Sequence, residues 1–354
     1  MQIYSNTTDF QLQGPCAVTL GKFEGLHRGH QKLLRALLAE KARGLVPAVF
    51  TFAVSPRSAQ AGPGSGPRPQ LLTLQEKRRR LEVFGVEELV EFPFNQQTSH
   101  LSPEEFLTRV ILGQMRAKVL IVGSDFRFGY ERRGDAAFLQ ANAARLGYEV
   151  LVLDKEQDGG QDISSTRIRA ALEAGRMEEV SRLLGYDYTF SGTVVHGEGN
   201  GHKLGMPTAN LVPEEGKLLP PFGVYGALMR LEPEGDAADA GAAEGVQAGQ
   251  SCGAAARPAR GTNAGQESLP MVCVANLGRK PTIQGSHAVG LEVHAIGQDF
   301  DLYGRRVCCS LLQFLRGEQH FGSAEELMDR MRQDRTLAEQ HVRQIAAARG
   351  VTVL

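Results

Sequence analysis

The run Lys118-Val119-Leu120-Ile121-Val122-Gly123 narrows the fold more than any other stretch of the chain. A nearly all-apolar run without polar alternation reads as a strand buried on both faces, and such strands belong to parallel sheets covered by helices on either side. Val18-Thr19-Leu20, Pro47–Phe52, Glu88–Phe92 and Tyr148–Leu153 read as companion strands with helical segments between them. Thr73-Leu74-Gln75-Glu76 and Ser102-Pro103-Glu104-Glu105 have the pattern of capping boxes, the second with Pro at the tolerated first helical position. Phe106, Leu107, Val110 and Ile111 then follow at α-helical spacing. The first half is therefore expected to be α/β, with ligands beyond the carboxyl ends of its strands.

At 354 residues, 42% hydrophobic and 22% charged, the chain is long enough for two cores. A net charge of -1 argues against a broad nucleic-acid or membrane footprint. Cys16, Cys252, Cys273, Cys308 and Cys309 are odd in number and lack a C-x-x-C pair, so a reducing cytoplasm is expected rather than a disulfide framework or zinc site. Met1–Asn6 has neither the basic start nor the apolar core of a signal peptide, and no stretch is apolar enough to span a bilayer.

Gly21-Lys22-Phe23-Glu24-Gly25-Leu26-His27-Arg28-Gly29-His30 leads from the Val18 strand into a helix through Leu38. Turn glycines admit backbone N–H groups to a ligand, and a helix start adds unpaired donors and the positive end of its dipole. His27 and His30, three apart, fall on one side of that helix and can donate to phosphate oxygens. On spacing alone, a solvated surface turn explains them equally well. Gly123-Ser124-Asp125-Phe126-Arg127-Phe128-Gly129 is a second turn, in which Asp125 can accept from a ribose or base and Arg127 can meet phosphate. Ile163-Ser164-Ser165-Thr166-Arg167-Ile168-Arg169 places hydroxyls at a helix entry as ordinary N-caps, with Arg167 and Arg169 as anion-binding groups.

Around Gly185–Tyr188 the texture changes to short runs rich in Val, Thr and Gly, which sets a domain boundary between 1–185 and 186–354. The glycines of His196–Gly205 imitate a dinucleotide loop, but Met206-Pro207-Thr208-Ala209-Asn210 cannot begin the required helix. Thr208 and Asn210 alternate onto one side of an extended chain, where a hard cation can sit; capping a loop is their other reading. Residues 232–269, rich in Gly, Ala, Gln and Asp, read as a disordered insertion. Leu291–Ile296 alternates as a strand, which by periodicity alone turns Glu292 to solvent. About six strands close a small barrel. Ser323-Ala324-Glu325-Glu326 reads as a third capping box, opening a terminal helix with Leu327, Met331, Leu337, Val342 and Ile345 on its apolar side.

These segments together resemble the bacterial bifunctional riboflavin kinase/FMN adenylyltransferases. The first turn is similar to that family's G-x-F-D-G-x-H-x-G-H, with Glu24 for its Asp and Lys22 for a small polar residue. The Ile163 segment resembles I-S-S-T-x-I-R, and residues 192–210 resemble G-x-V-x-x-G…G-R-x-L-G-F-P-T-A-N with His202 for Arg. Asn276–Thr282 is similar to N-x-G-x-R-P-T, with Lys280 in the place of Arg. The Asp-Pro-His turn that usually follows the second strand is absent. The resemblance implies a Rossmann-like nucleotidylyltransferase domain followed by a β-barrel riboflavin kinase domain with a terminal helix. ATP would phosphorylate riboflavin to FMN in the second and adenylylate FMN to FAD in the first, with pyrophosphate leaving. It implies His27 and His30 as catalytic groups of the first site. Gly21, Phe23, Gly29, Asp125, Ser164, Ser165, Thr166, Arg167 and Arg169 would bind ATP there, with Phe126 and Phe128 beside the flavin. In the second it implies Glu292 as general base, Gly197, Gly205, Pro207, Thr208 and Asn210 around Mg·ATP, and Asn276, Arg279 and Thr282 at the flavin. Mg²⁺ would rest on Thr208 and Asn210. Small molecules are the implied partners, with neither nucleic acid nor membrane. A kinase-only enzyme with a degenerate first domain, another nucleotidylyltransferase and a silent flavin-binding regulator are the alternative readings.

Overall fold

The computed structural model describes residues 1–53, 68–195, 208–232, 269–281, 287–298 and 302–354. The Pro/Gly/Ser-rich loop after Ala53, the insertion at 232–269 and the predicted site residues Gly197, Gly205, Pro207 and Thr282 lie wholly or mostly outside them. The chain divides into two compact units, Met1–Ser165 and Thr166–Leu354. That division falls earlier than the change of sequence texture at Gly185–Tyr188.

The first unit is built on a six-stranded parallel sheet. Its strands are β1 (Gln2–Ser5), β2 (Cys16–Leu20), β3 (Val46–Phe52), β4 (Glu88–Phe92), β5 (Ala117–Gly123) and, after the short pair β6 (Arg127–Phe128) and β7 (Gly134–Asp135), β8 (Glu149–Leu153). The order is β1-β4-β3-β2-β5-β8. β2 and the middle of β5 are buried, as their unbroken apolar runs require, whereas β8 at the sheet edge keeps exposed positions. Helix α1 (Arg28–Ala39) carries the chain from β2 to β3, and α2 (Leu74–Phe84) carries it from β3 to β4. Since β5 pairs on the other side of β2, the topological switch lies between β2 and β5. The two turns singled out in the sequence, Gly21–His27 and Gly123–Phe128, leave the carboxyl ends of those two neighbouring strands.

Both predicted capping boxes of this unit form. Thr73 and Glu76 exchange backbone-to-side-chain bonds at 3.2 and 2.8 Å, and Ser102 and Glu105 do so at 3.2 and 2.9 Å. The expected α-helix after Ser102 is instead wound as a π-helix from Phe106 to Gln114, and Met115 N–H continues the wide winding to Val110 O at 2.9 Å. The wider turn suits the side chains: Phe106, Leu107, Val110, Ile111 and Met115 all reach the core under β5. Helix α3 (Ala136–Leu146) then leads into β8.

The second unit begins with helices α4 (Ser165–Glu173, whose first residue closes the first unit) and α5 (Met177–Leu184). Its sheet comprises β11 (Tyr188–Thr193), β12 (Ala209–Leu211), β13 (Gly223–Leu231), β14 (Met271–Pro281), β15 (His287–Ala295) and β16 (Arg306–Gly317), after the hairpin strands β9 (Gln157–Asp158) and β10 (Gln161–Asp162) of the first unit. The antiparallel order β11-β16-β13-β14-β15-β12 leaves β11 and β12 at the two edges. Just past β11, Val195 N–H bonds Asn210 O at 2.9 Å, so the sheet curls until its edges meet, forming a half-barrel.

Helix α6 (Ala324–Ala348) covers this sheet with Ala338 and Val342 against Leu228, Val272 and Leu312. Two expectations for it are corrected. Leu337 points outward, 38% exposed, because the helix turns its small residues Ala338 and Ala346 inward. A Cβ on Gly226 would stand 3.0 Å from Val342 and 3.6 Å from Ala338, an approach that only short side chains allow. The box at Ser323 is half formed: its hydroxyl accepts from Glu326 N–H at 3.1 Å, while the Glu326 carboxylate takes Gly322 N–H at 3.0 Å.

Candidate active sites

At the end of β2 the chain makes a compact turn in which Phe23 and Leu26 hold positive φ of 47° and 42°. Both side chains are fully buried, and that burial compensates for backbone conformations that L-residues rarely adopt. The Phe23 ring lies under Gly21, where a Cβ would be 3.1 Å away, so any side chain there would press on the ring. Gln31 Nε2 braces the turn from α1 by donating to Leu26 O at 2.9 Å. Of the predicted ATP-binding residues here, Phe23 thus offers a ligand its backbone.

His27 is the N-cap of α1, and His30 lies in its first turn. Their rings stack with centroids 3.7 Å apart, and Phe23 supports His30 at 5.0 Å. Gly29 admits this stack, since a Cβ there would lie 3.2 Å from His27 Nδ1. Both Nδ1 atoms are buried without a hydrogen-bond partner among the described residues. Burial pushes the His27 pKa down to about 4. Burial, then His27 and Lys77, hold that of His30 well below its ordinary value. Both imidazoles are therefore neutral at pH 7, a state that composition could not reveal.

The β5 turn meets the same end of the sheet. Phe126 and Phe128 stack at 5.4 Å, and Phe128 enters the core through a gap that Gly134 leaves. The polar residues of the turn are engaged within the protein: Asp125 by Lys155 at 3.2 Å and Arg127 by Asp135. Lys155 also holds Asp162 at 3.0 Å, and Arg28 reaches Glu156 at 3.1 Å and Asp158 at 3.4 Å. These pairs tie the β9–β10 hairpin to both turns. Lys22 is exposed, and Glu24 is half-buried.

Ser164 and Ser165 end the first unit, whereas Thr166, Arg167 and Arg169 open the second. Arg167 pairs with Glu179 at 3.3 Å, and Arg169 is buried.

In the second unit, register brings three predicted residues together. Glu292 on β15 stands opposite Asn210 on β12 and opposite Asn276 on β14. Directly opposed residues project from the same face, so Asn210, Glu292 and Asn276 form one polar row across three strands. Flanking pairs on the other face, such as Leu211, Leu291 and Leu277, are buried. Glu292 is half-buried rather than turned to solvent, Asn276 is exposed and Asn210 is buried. Thr208 adjoins this row at the entry to β12, and the Arg279 guanidinium lies 5.9 Å from the Phe222 ring centre. Thr208 and Asn210 offer hard oxygen donors of the kind Mg²⁺ accepts. Among the described residues no group of three or more His, Cys, Asp or Glu could hold a metal.

Sequence reasoning missed Gln31 and Lys77. Each is a buried polar residue on an otherwise apolar helical stripe, with Leu34 and Leu37 in α1 and with Leu81 in α2. That misplaced polarity was their available signal.

Comparison with known proteins finds two matched segments in the chain. A family model described as FAD synthetase matches residues 9–167, and one described as riboflavin kinase matches 184–342. A bifunctional riboflavin kinase/FMN adenylyltransferase of Escherichia coli strain K12 is 33% identical over 329 residues, 93% of each chain. Its counterpart in Pseudomonas fluorescens is 34% identical over 88% of each. A crystal structure described as a macrolide-efflux protein from Streptococcus pneumoniae superposes with a TM-score of 0.76 at 28% identity, covering 95% of this chain and 98% of that one. With both family matches and this identity over nearly its whole length, the chain belongs to the bifunctional riboflavin kinase/FMN adenylyltransferase family.

Proposed function

We propose that the protein converts riboflavin to FMN in its second unit and FMN to FAD in its first, with ATP as co-substrate of both steps. The observation that carries this reading is that each matched segment holds its own polar constellation: the stacked His27–His30 pair in one, the Asn210–Glu292–Asn276 row in the other.

In the kinase step, Glu292 accepts the proton of the riboflavin 5′-hydroxyl as its oxygen bonds to the γ-phosphorus and ADP leaves. Asn276 orients the flavin beside that carboxylate, with Arg279 and Thr282 at the same ligand. Thr208 and Asn210 would hold Mg²⁺, which when bound neutralises phosphate charge. In the adenylyl transfer, an FMN phosphate oxygen attacks the α-phosphorus and pyrophosphate leaves, so no covalent nucleophile is needed. His27 and His30, neutral in the free protein, donate N–H hydrogen bonds to phosphoryl oxygens as charge develops there. Backbone of Gly21, Phe23 and Gly29 lines that turn. Ser164, Ser165, Thr166, Arg167 and Arg169 bind the triphosphate once Arg167 leaves Glu179, and Asp125 turns to the nucleotide once Lys155 releases it. Phe126 flanks the isoalloxazine, with Phe128 stacked behind it in the core.

The cytoplasm is the compartment we assign, supported by four described cysteines that are buried thiols. Incubation with riboflavin, ATP and Mg²⁺ followed by separation of the flavins tests the function. Accumulating FAD is the expected result; FMN alone supports the kinase-only reading, and tight flavin binding without conversion supports the regulator.

A further inference from the structure

Lys77 lies in the first turn of α2, the end of that helix set at the carboxyl edge of the sheet by β3 and the capping box at Thr73. Its side chain is buried, with 7% exposure. Lysines are rarely so buried unless paired. Yet among the described residues its ammonium takes part in no hydrogen bond or ion pair. Burial lowers its pKa; Glu91 and Glu24 oppose that fall, and Arg78 adds to it. Glu91 has partners of its own, Arg78 Nε at 2.9 Å and Ser5 Oγ at 2.6 Å. A counter-ion role toward Glu91 therefore leaves the position of Lys77 unexplained.

Lys77 helps to hold the His30 pKa down, and Glu24 of the same turn opposes the fall of the Lys77 pKa. The first site thus has a buried lysine side chain acting on His30, one of two stacked imidazoles whose Nδ1 atoms are unpartnered among the described residues. Its other cations are placed elsewhere, Lys22 in solvent and Arg28 on Glu156 and Asp158. A group with several anionic oxygens matches such a set.

We propose that Lys77 is a phosphate-binding residue of the first site, donating from its ammonium to a phosphoryl oxygen of the nucleotide alongside His27 and His30. This rests on the adenylyltransferase reading of that site. Its ammonium supplies a positive charge that two neutral imidazoles do not.

Titration calorimetry with inorganic pyrophosphate and Mg²⁺, together with FAD formation from FMN and ATP, tests it on the full chain. Lys77→Met should weaken pyrophosphate binding about ten- to a hundredfold and lower kcat/KM for ATP, while Lys77→Arg retains most of both. The thermal midpoint of the Met variant should not fall, since an apolar chain of similar length replaces a buried charge. Should that variant not fold, Lys77→Gln carries the same expectation. Pyrophosphate affinity and FAD formation equal to wild type in the variants, with a lowered midpoint, would assign Lys77 a structural role and overturn the proposal while leaving the site's function intact. A wild-type protein that neither binds pyrophosphate nor makes FAD overturns both.

Discussion

The stacked imidazoles of His27 and His30 show how one environment decides what a residue can do. Both are held neutral by burial, so acidification must either leave them uncharged in the fold or break it. A histidine whose folded pKa lies below its unfolded value contributes stability that is complete above pH 6.5 and is lost as the pH falls toward about 4. Melting the first unit across that window should show the loss, and His27→Asn should flatten part of the slope. At Glu292, Glu292→Gln removes the proposed proton acceptor with little change of shape. FMN formation should fall by about a hundredfold or more, within the range for a positioned general base; undiminished turnover would exclude that role.

At the scale of elements, close approach governs both sites. In the turn after β2, Gly29→Ala would press a methyl to 3.2 Å from His27 Nδ1. A displaced imidazole should cost FAD formation about tenfold or more, with FMN formation unchanged. Under α6, Gly226→Val would collide with Val342 and lift the helix from β13. Denaturation should register a loss of about 1–3 kcal/mol, the range for overpacking a filled interface. The caps at Thr73 and Ser102 were legible in the sequence because their partners are three residues away. The π-winding from Phe106 was not, since the same apolar positions satisfy either helix until the core beneath chooses between them.

For the whole molecule, two compact units with separate constellations imply two reactions that can be disabled independently. A Glu292→Gln chain should still adenylylate supplied FMN, while a His30→Asn chain should stop at FMN. Mixing the two in riboflavin, ATP and Mg²⁺ should restore FAD, because FMN released by one chain is substrate for the other; continued absence of FAD would count against the independence. Much of this division was legible: the apolar run at Lys118 implied the parallel sheet, and the shorter β runs after Tyr188 implied the second domain. The engagement of Asp125, Arg127 and Arg167 by Lys155, Asp135 and Glu179 was not. Single charges carry no mark of their partners along the chain.

The sequence by itself determined the order of elements and the glycine-dependent turn at Gly21–His30, because each depends on neighbours within a few residues. Tertiary structure alone decided that His27 and His30 are neutral, that Lys77 is buried on a second helix, and that Glu292 stands between Asn210 and Asn276. Burial and strand register arise from contacts between distant segments, and these set the charge and company of each functional group.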